Sequence, residues 1–284
     1  MKISTEIYSA AAIVGEEKAI ELIAKAGFNA WDFSMFDMVT CDRKDGSVIY
    51  KGHPLESKDA VSFARRLKKV GEDNGIICNQ SHSAYPLCYK AVRDSVYLAI
   101  ECTAEAGAKT VVVHPDMDAS LEENVELYQS YLQRAKQYGV KIATENMLVR
   151  RLLDEPKKSA FVTPERIKPL FDLVDDKDFV MCLDIGHAEI DIANTSALEM
   201  INMFKGKIQA LHLHDNDKNL DSHQIPFSMK IDFEPIMKAL KAVGYDGDIT
   251  LEADSYLSSF DKETVLGGLK NMYLSAVKLK AMIL

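Results

Sequence analysis

The feature that most constrains this chain is an alternation. Short β-favouring runs recur along it, and each is followed by a longer stretch with the 3.6-residue apolar period of a helix. The strand runs fall near residues 2–6, 29–34, 75–80, 109–114, 140–145, 179–184, 208–213 and 247–252. Helical stretches such as AVSFARRLKKVGEDNG and EENVELYQSYLQRAKQYG lie between them. Gly27, Gly75, Gly107, Gly139 and Gly244 close helical patterns just before strands, where a left-handed residue suits a helix end. Ser57 and Thr163, each followed by an early acid, are candidate capping hydroxyls. Eight such units in 284 residues match an α/β protein of the (β/α)8 TIM-barrel type, read as a single domain over 1–284. A doubly wound open sheet would need fewer strands and a GxGxxG-type phosphate loop, which the sequence lacks.

A barrel places its reactive groups at the C-terminal ends of strands. The histidines obey that expectation. His82 follows strand 3, His114 ends strand 4, His187 follows strand 6, His212 and His214 end strand 7, and His223 lies in the next loop. Only His53 falls elsewhere, and none lies in a helical stretch. Four consecutive strands, 5 to 8, end in Glu145, Asp184, His212 and Glu252. Neighbouring strands lie about 4.8 Å apart, so these side chains can converge above the barrel. Three carboxylates and one imidazole suit one divalent ion, Mn2+, Mg2+, Co2+ or Zn2+. Without a cation the acids would repel one another. Asp215 and His214 are weaker members of the same level, with His214 a candidate outer-shell partner. Glu189, Asp191 and Glu234 read as solvated. Trp31, Phe33 and Phe36 are candidates for an apolar wall, with core packing as the competing role.

Charge narrows the partners. There are 34 Lys+Arg against 43 Asp+Glu, a net charge of −9, which argues against a nucleic-acid or membrane-surface binder. No run approaches the ~18 apolar residues of a transmembrane helix. The N-terminal segment gains acids where a signal peptide would be cleaved, so a cytoplasmic location is expected. Five scattered cysteines without a CxxC pair read as reduced thiols.

The motifs HSAYP, VVHP, ATEN, CLDIGH, LHLHDND, DSH and LEAD, in that order, resemble the xylose isomerase-like TIM-barrel superfamily, which contains sugar phosphate isomerases and epimerases and AP endonuclease family 2. The resemblance runs from the first strand to the last helix. In the ketose 3-epimerase branch it implies one metal held by Glu145, Asp184, His212 and Glu252, with His187 binding substrate. Lys218 stands where that branch has a substrate-binding arginine. In the endonuclease branch three zinc ions are held, which adds His82, His114 and the group His187, Asp221 and His223 as ligands.

The expected activity is a metal-dependent isomerase or epimerase of a ketose or related keto-polyol. Glu145 and Glu252 would move a proton beside the carbonyl through a metal-stabilised enediolate, inverting a centre or shifting the carbonyl. His187, His82, His114 and Lys218 would contact the substrate. A keto-polyol dehydratase of the inosose type shares the first step. A trinuclear-zinc phosphoesterase on abasic DNA needs basic loops around the site. SAYPLCY, AEIDIAN and DSYLSSF contain no Lys or Arg, leaving the loop after strand 5, LVRRLLDEPKKS with Arg150 and Arg151, and Lys218 as the basic candidates. A non-catalytic sugar-binding barrel is the third alternative. The loops after strands 7 and 8 lack the glycines of a phosphate site. Residues 35–56 are a candidate lid or subunit interface.

Overall fold

A computed structural model describes residues 1–148 and 161–283. Eight parallel strands run β1 Ile3–Thr5, β2 Ala30–Ser34, β3 Ile77–His82, β4 Thr110–Val113, β5 Lys141–Glu145, β6 Phe179–Asp184, β7 Ile208–His212 and β8 Ile249–Leu251. Strands β2 to β7 form one sheet in sequence order, and β1 pairs with β8. Two parallel bridges, Glu6 with Asp32 and Leu213 with Leu251, join these sheets at both edges and close the ring. The expected (β/α)8 barrel is therefore the fold.

Helices follow the strands as the apolar period requires, at Glu16–Ala26, Ala60–Asp73, Lys90–Ala106, Leu121–Tyr138, Pro164–Val174, Ala197–Phe204, Phe233–Ala242 and Val265–Ile283. The five expected terminal glycines all have positive φ. The two hydroxyl caps differ from expectation. Thr163 is an N-cap whose side chain makes no capping bond, and Ser57 Oγ accepts from Asp59 N, two residues ahead of the helix's N-cap, Asp59. Ser120 supplies the full reciprocal box instead, accepting from Glu123 N while Glu123 accepts from Ser120 N. Within 35–56, Thr40–Cys41 and Val48–Ile49 form a small antiparallel hairpin. Among the described residues no helix is long and apolar enough to cross a membrane. All five cysteines are free.

Two apolar cores follow from strand alternation. Outward-facing residues such as Val111, Val113, Phe179, Met181 and Leu183 pack under the helices. Inward-facing Val112, Ala143, Val180, Cys182 and Ala210 form a separate cluster inside the ring. Trp31 and Phe33 lie within β2 and belong to the outer core, so the wall role expected for them passes to Phe36 alone. Phe36 packs edge-on against His82 and Tyr85, at centroid distances of 5.0 and 5.1 Å.

Gly71 sits in the Ala60–Asp73 helix with Trp31 Nε1 2.8 Å and the Ile76 carbonyl 3.0 Å from where a Cβ would stand. Alanine improves helix propensity by about 1 kcal/mol but here meets an indole and a main-chain oxygen, and overpacking costs about 1–3 kcal/mol. Gly267, in the first turn of the last helix, has open space around its Cβ position. Urea unfolding should show Gly71→Ala destabilised and Gly267→Ala unchanged or stabilised by up to about 1 kcal/mol.

Candidate metal centre

Side chains two residues apart on a strand share a face. Glu145 is two residues beyond Ala143, Asp184 beyond Cys182, His212 beyond Ala210 and His114 beyond Val112. Each polar group thus stands one inward step above a member of the inner apolar cluster. Register aligns them laterally, with Asp184 opposite His212. Glu252 follows β8 directly.

Glu145, Asp184, His212 and Glu252 each offer a ligand atom within 4.8 Å of the others. His212 Nδ1 lies between two acids, 3.1 Å from Glu145 Oε2 and 3.3 Å from Glu252 Oε2. Glu145 Oε2, Asp184 Oδ2 and His212 Nδ1 are buried without hydrogen-bond partners. Buried polar atoms are seldom left so. An oxygen-rich donor set with one imidazole fits a divalent cation, which would satisfy all of them at once.

Two further groups surround this quartet. His82 Nε2 and His114 Nε2 are 2.9 Å apart, and each is 3.4 Å from Glu145 Oε2. On the other side, His187, His214, Asp221 and His223 bring ligand atoms within 4.8 Å of one another. Asp221 reaches His187 Nε2 at 3.4 Å and His223 Nε2 at 3.2 Å. The His214 ring stacks on His223 with centroids 3.8 Å apart, and both of its nitrogens lack hydrogen-bond partners. A Cβ at Gly186 would stand 1.9 Å from the His214 ring, which explains a glycine between Asp184 and His187.

Main-chain carbonyls set the tautomers. His82 Nδ1 lies 2.8 Å from Ser83 O, His187 Nδ1 3.0 Å from Asn146 O, and His223 Nδ1 2.9 Å from Glu252 O. A carbonyl only accepts, so each Nδ1 donates and each Nε2 faces the site. Asn146 also donates to Asp184 O and accepts from Asp184 N, fixing the end of β6. His187 lies in a four-residue helix, Ile185–Ala188, whose N-cap Asp184 accepts from His187 N. This corrects the expectation that no histidine is helical, since one turn is too short to show a period.

Charges in the cluster balance pairwise. Burial pushes Glu145 up, but the His212 and His114 imidazoles outweigh it and hold the carboxyl well below its usual range. Asp184 is lowered in the same way by His187 and His214 against burial. Burial, reinforced by Glu145 and opposed by His212, raises Glu252. Burial lowers His114 to about 4. His223 resists burial through its Asp221 bond and rises to about 10.

Other expected positions resolve differently. Lys218 has its ammonium 3.1 Å from Glu189 Oε2, so Glu189 is an ion-pair partner and not a solvated acid. Asp191 and Glu234 are exposed, as read. Asp215 accepts from Asn216 N, Met229 N and Ile231 N and so holds the loop after β7. Arg150 and Arg151 lie outside the described residues. Sequence reasoning missed Asp32, buried 3.5 Å from His212 Nε2, and Glu6. Burial raises Glu6 to about 7 against its bonds from Ser9. Glu6 directly follows β1, the same signal that marked the quartet, whereas Asp32 lies in the middle of β2, where no strand-end rule finds it.

A family model described as "Xylose isomerase-like TIM barrel" matches residues 20–270. An uncharacterized protein of Methanocaldococcus jannaschii is 28% identical over 270 residues, 87% of this chain and 82% of its own length. A D-tagatose 3-epimerase-like protein superposes with TM-score 0.71 at 20% identity over 100% of both chains. IOLI protein, with a binding zinc atom, superposes with TM-score 0.73 at 15% identity over 100% of this chain and 99% of that one. At such identities the structural likeness speaks to the fold alone.

Protons and cations compete for these imidazoles, because a ligating histidine must give up its proton. His212 and His187 both sit well above their ordinary value in the metal-free protein, against burial, through the surrounding acids. Apparent Zn2+ or Co2+ affinity should therefore rise with pH from about 6 to 8, up to about tenfold per pH unit for each proton displaced. Calorimetric titration in buffers of different ionisation enthalpy measures both the affinity and the released protons.

Proposed function

Because this chain belongs to the xylose isomerase-like TIM barrel family, we propose that it is a divalent-metal-dependent sugar isomerase or epimerase acting on a ketose or related keto-polyol. The observation that carries this reading is the convergence of Glu145, Asp184, His212 and Glu252, with three of their buried atoms lacking hydrogen-bond partners. These four residues would hold one ion of Mn2+, Mg2+, Co2+ or Zn2+. That ion would supply Lewis-acid stabilisation of negative charge developing on substrate oxygens, worth several kcal/mol.

The chain's own groups do the rest. Glu145 and Glu252 both reach His212 Nδ1 from different strands, and one carboxylate would remove a carbon-bound proton while the other returns it. His187, its Nδ1 fixed by Asn146 O, presents Nε2 for a substrate oxygen. His82, His114, Phe36 and Tyr85 form an aromatic wall beside Glu145. Lys218, engaged by Glu189, contacts substrate only if that pair opens. A keto-polyol dehydratase would use the same proton removal and then expel hydroxide, so product analysis separates the two.

The two flanking groups favour a second reading, a trinuclear-zinc phosphoesterase using His82 and His114 with Glu145, and His187, Asp221 and His223. Against it stand the loops SAYPLCY, AEIDIAN and DSYLSSF, which offer phosphate no cation.

Glu145→Gln and Glu252→Gln should fold and yet lose exchange of the proton beside the carbonyl when metal-loaded protein meets free ketoses or keto-inositols in heavy water. Exchange retained in both variants defeats the two-carboxylate scheme. Elemental analysis should find about one ion per chain for the sugar enzyme, whereas three zinc ions with cleavage of abasic DNA would establish the phosphoesterase.

A further inference from the structure

The inside of the barrel is divided. Below the quartet, the half formed by β4 to β7 is apolar, built from Val112, Ala143, Val180, Cys182 and Ala210. The half formed by β8, β1, β2 and β3 is polar at the same depth. Ser4, Gln80, Asp32 and Thr250 are all buried there. A barrel floor is ordinarily packed with branched apolar side chains, so a buried polar half calls for a reason.

These residues form one hydrogen-bonded chain. Ser4 Oγ donates to Asn79 Oδ1 at 2.7 Å, and Asn79 Nδ2 donates to Thr250 Oγ1 at 3.2 Å. Thr250 Oγ1 donates to Gln80 Oε1 at 3.3 Å, and Gln80 Nε2 donates to Asp32 Oδ2 at 2.8 Å. Every donor points the same way, toward Asp32. Neighbours Asn79 and Gln80 would ordinarily face opposite sides of a strand. A bulge in the β2–β3 register, where Trp31 pairs with Cys78 but Asp32 with Gln80, lets both side chains join the network. Asp32 Oδ2 then lies 3.5 Å from His212 Nε2.

His212 differs in this support from His82, His187 and His223. His82, His187 and His223 are each held at Nδ1 by a main-chain carbonyl. His212 turns the opposite nitrogen, Nδ1, toward Glu145 and Glu252, and the acceptor behind its Nε2 is a side chain. We propose that Asp32 is the positioning residue for His212, holding the imidazole with Nε2 as donor and Nδ1 as the free ligand atom, and that the Ser4–Asn79–Thr250–Gln80 chain exists to aim Asp32. This rests on the metal-centre reading above. Asparagine at position 32 could still accept from Gln80 through its oxygen, keeping the β2–β3 contact. Because Oδ2 is the atom that both accepts from Gln80 and faces His212 Nε2, that oxygen stays within reach of the imidazole, and what the substitution removes is the negative charge that holds Nε2 as the donor.

The test is a Co2+ titration of the full chain, read by the ligand-field absorption of the bound ion, with thermal unfolding followed in parallel. Asp32→Asn should weaken Co2+ binding by about 10–100-fold and shift the absorption band while keeping cooperative unfolding. Asp32→Glu should recover part of the affinity. Thr250→Val, which breaks the chain two bonds away at nearly constant volume, should shift both readouts in the same direction by a smaller amount. Wild-type affinity and spectrum in Asp32→Asn and Thr250→Val would overturn the assignment of Asp32 and leave the metal centre standing. An Asp32→Asn variant that fails to fold, together with an unaltered Thr250→Val, would assign the chain to structure alone and overturn it as well. Absence of a saturable band in the wild-type protein would remove the metal centre itself, and the role of Asp32 with it.

Discussion

The structure depends on keeping several acids together in a place with little water. Glu145, Asp184 and Glu6 are buried at the barrel's mouth and Asp32 just below them, with Glu252 and Asp221 partly buried. Burying isolated carboxylates costs several kcal/mol each, and like charges at this spacing add to the cost. Imidazoles offset it. Each acid of the quartet lies within 3.3 Å of a histidine nitrogen, Glu145 and Glu252 at His212 and Asp184 at His214. A cluster balanced in this way can exchange its protons for a cation of equal charge with little movement of the side chains. Glu6 has no imidazole of this kind. It bonds to Ser9 at the start of the Tyr8–Val14 helix, and its carboxyl takes up a proton more readily than the others.

The barrel makes such a cluster possible because all eight strands point the same way. Every strand delivers its C-terminal residue to one rim, and alternation turns every second side chain inward. The same arrangement brings residues as distant in sequence as Asp32 and His212 within 3.5 Å of one another. Small residues beneath the ligands matter too. Ala143, Cys182 and Ala210 leave Glu145, Asp184 and His212 room to lean toward the axis. Gly186 serves the same purpose sideways, by admitting the His214 ring.

The strand order, the helices and the quartet were legible in the sequence because each rests on a local rule: period, terminal glycine, or a reactive residue at a strand end. What was not legible needed register. Strand β3 ends at His82, two residues beyond the sequence estimate, because Ser34 and Val112 pair with His82 and keep it extended. The polar floor arises from a bulge that no periodicity reveals. Asn146 belongs to the ATEN motif, but its task depends on contacts to Asp184 and His187 about 40 positions away. Lys218 is expected from its position to contact substrate, and only folding shows Glu189 beside it.

Asp184 explains why residue types alone leave the number of ions open. One of its oxygens, Oδ1, accepts from His187 N and lies 3.1 Å from His214 Nε2 in the flanking cluster. The other, Oδ2, is the buried atom without a partner in the quartet. Glu145 faces both ways as well, Oε1 toward His187 and Oε2 toward His82, His114 and His212. The same two carboxylates therefore serve a single-ion site or the shared edge of a larger one without rearrangement. The difference between sugar chemistry and phosphate chemistry then falls on the surrounding loops. SAYPLCY, AEIDIAN and DSYLSSF bring no lysine or arginine to the rim, and Lys218 is paired with Glu189, surroundings that offer a phosphodiester little counter-charge.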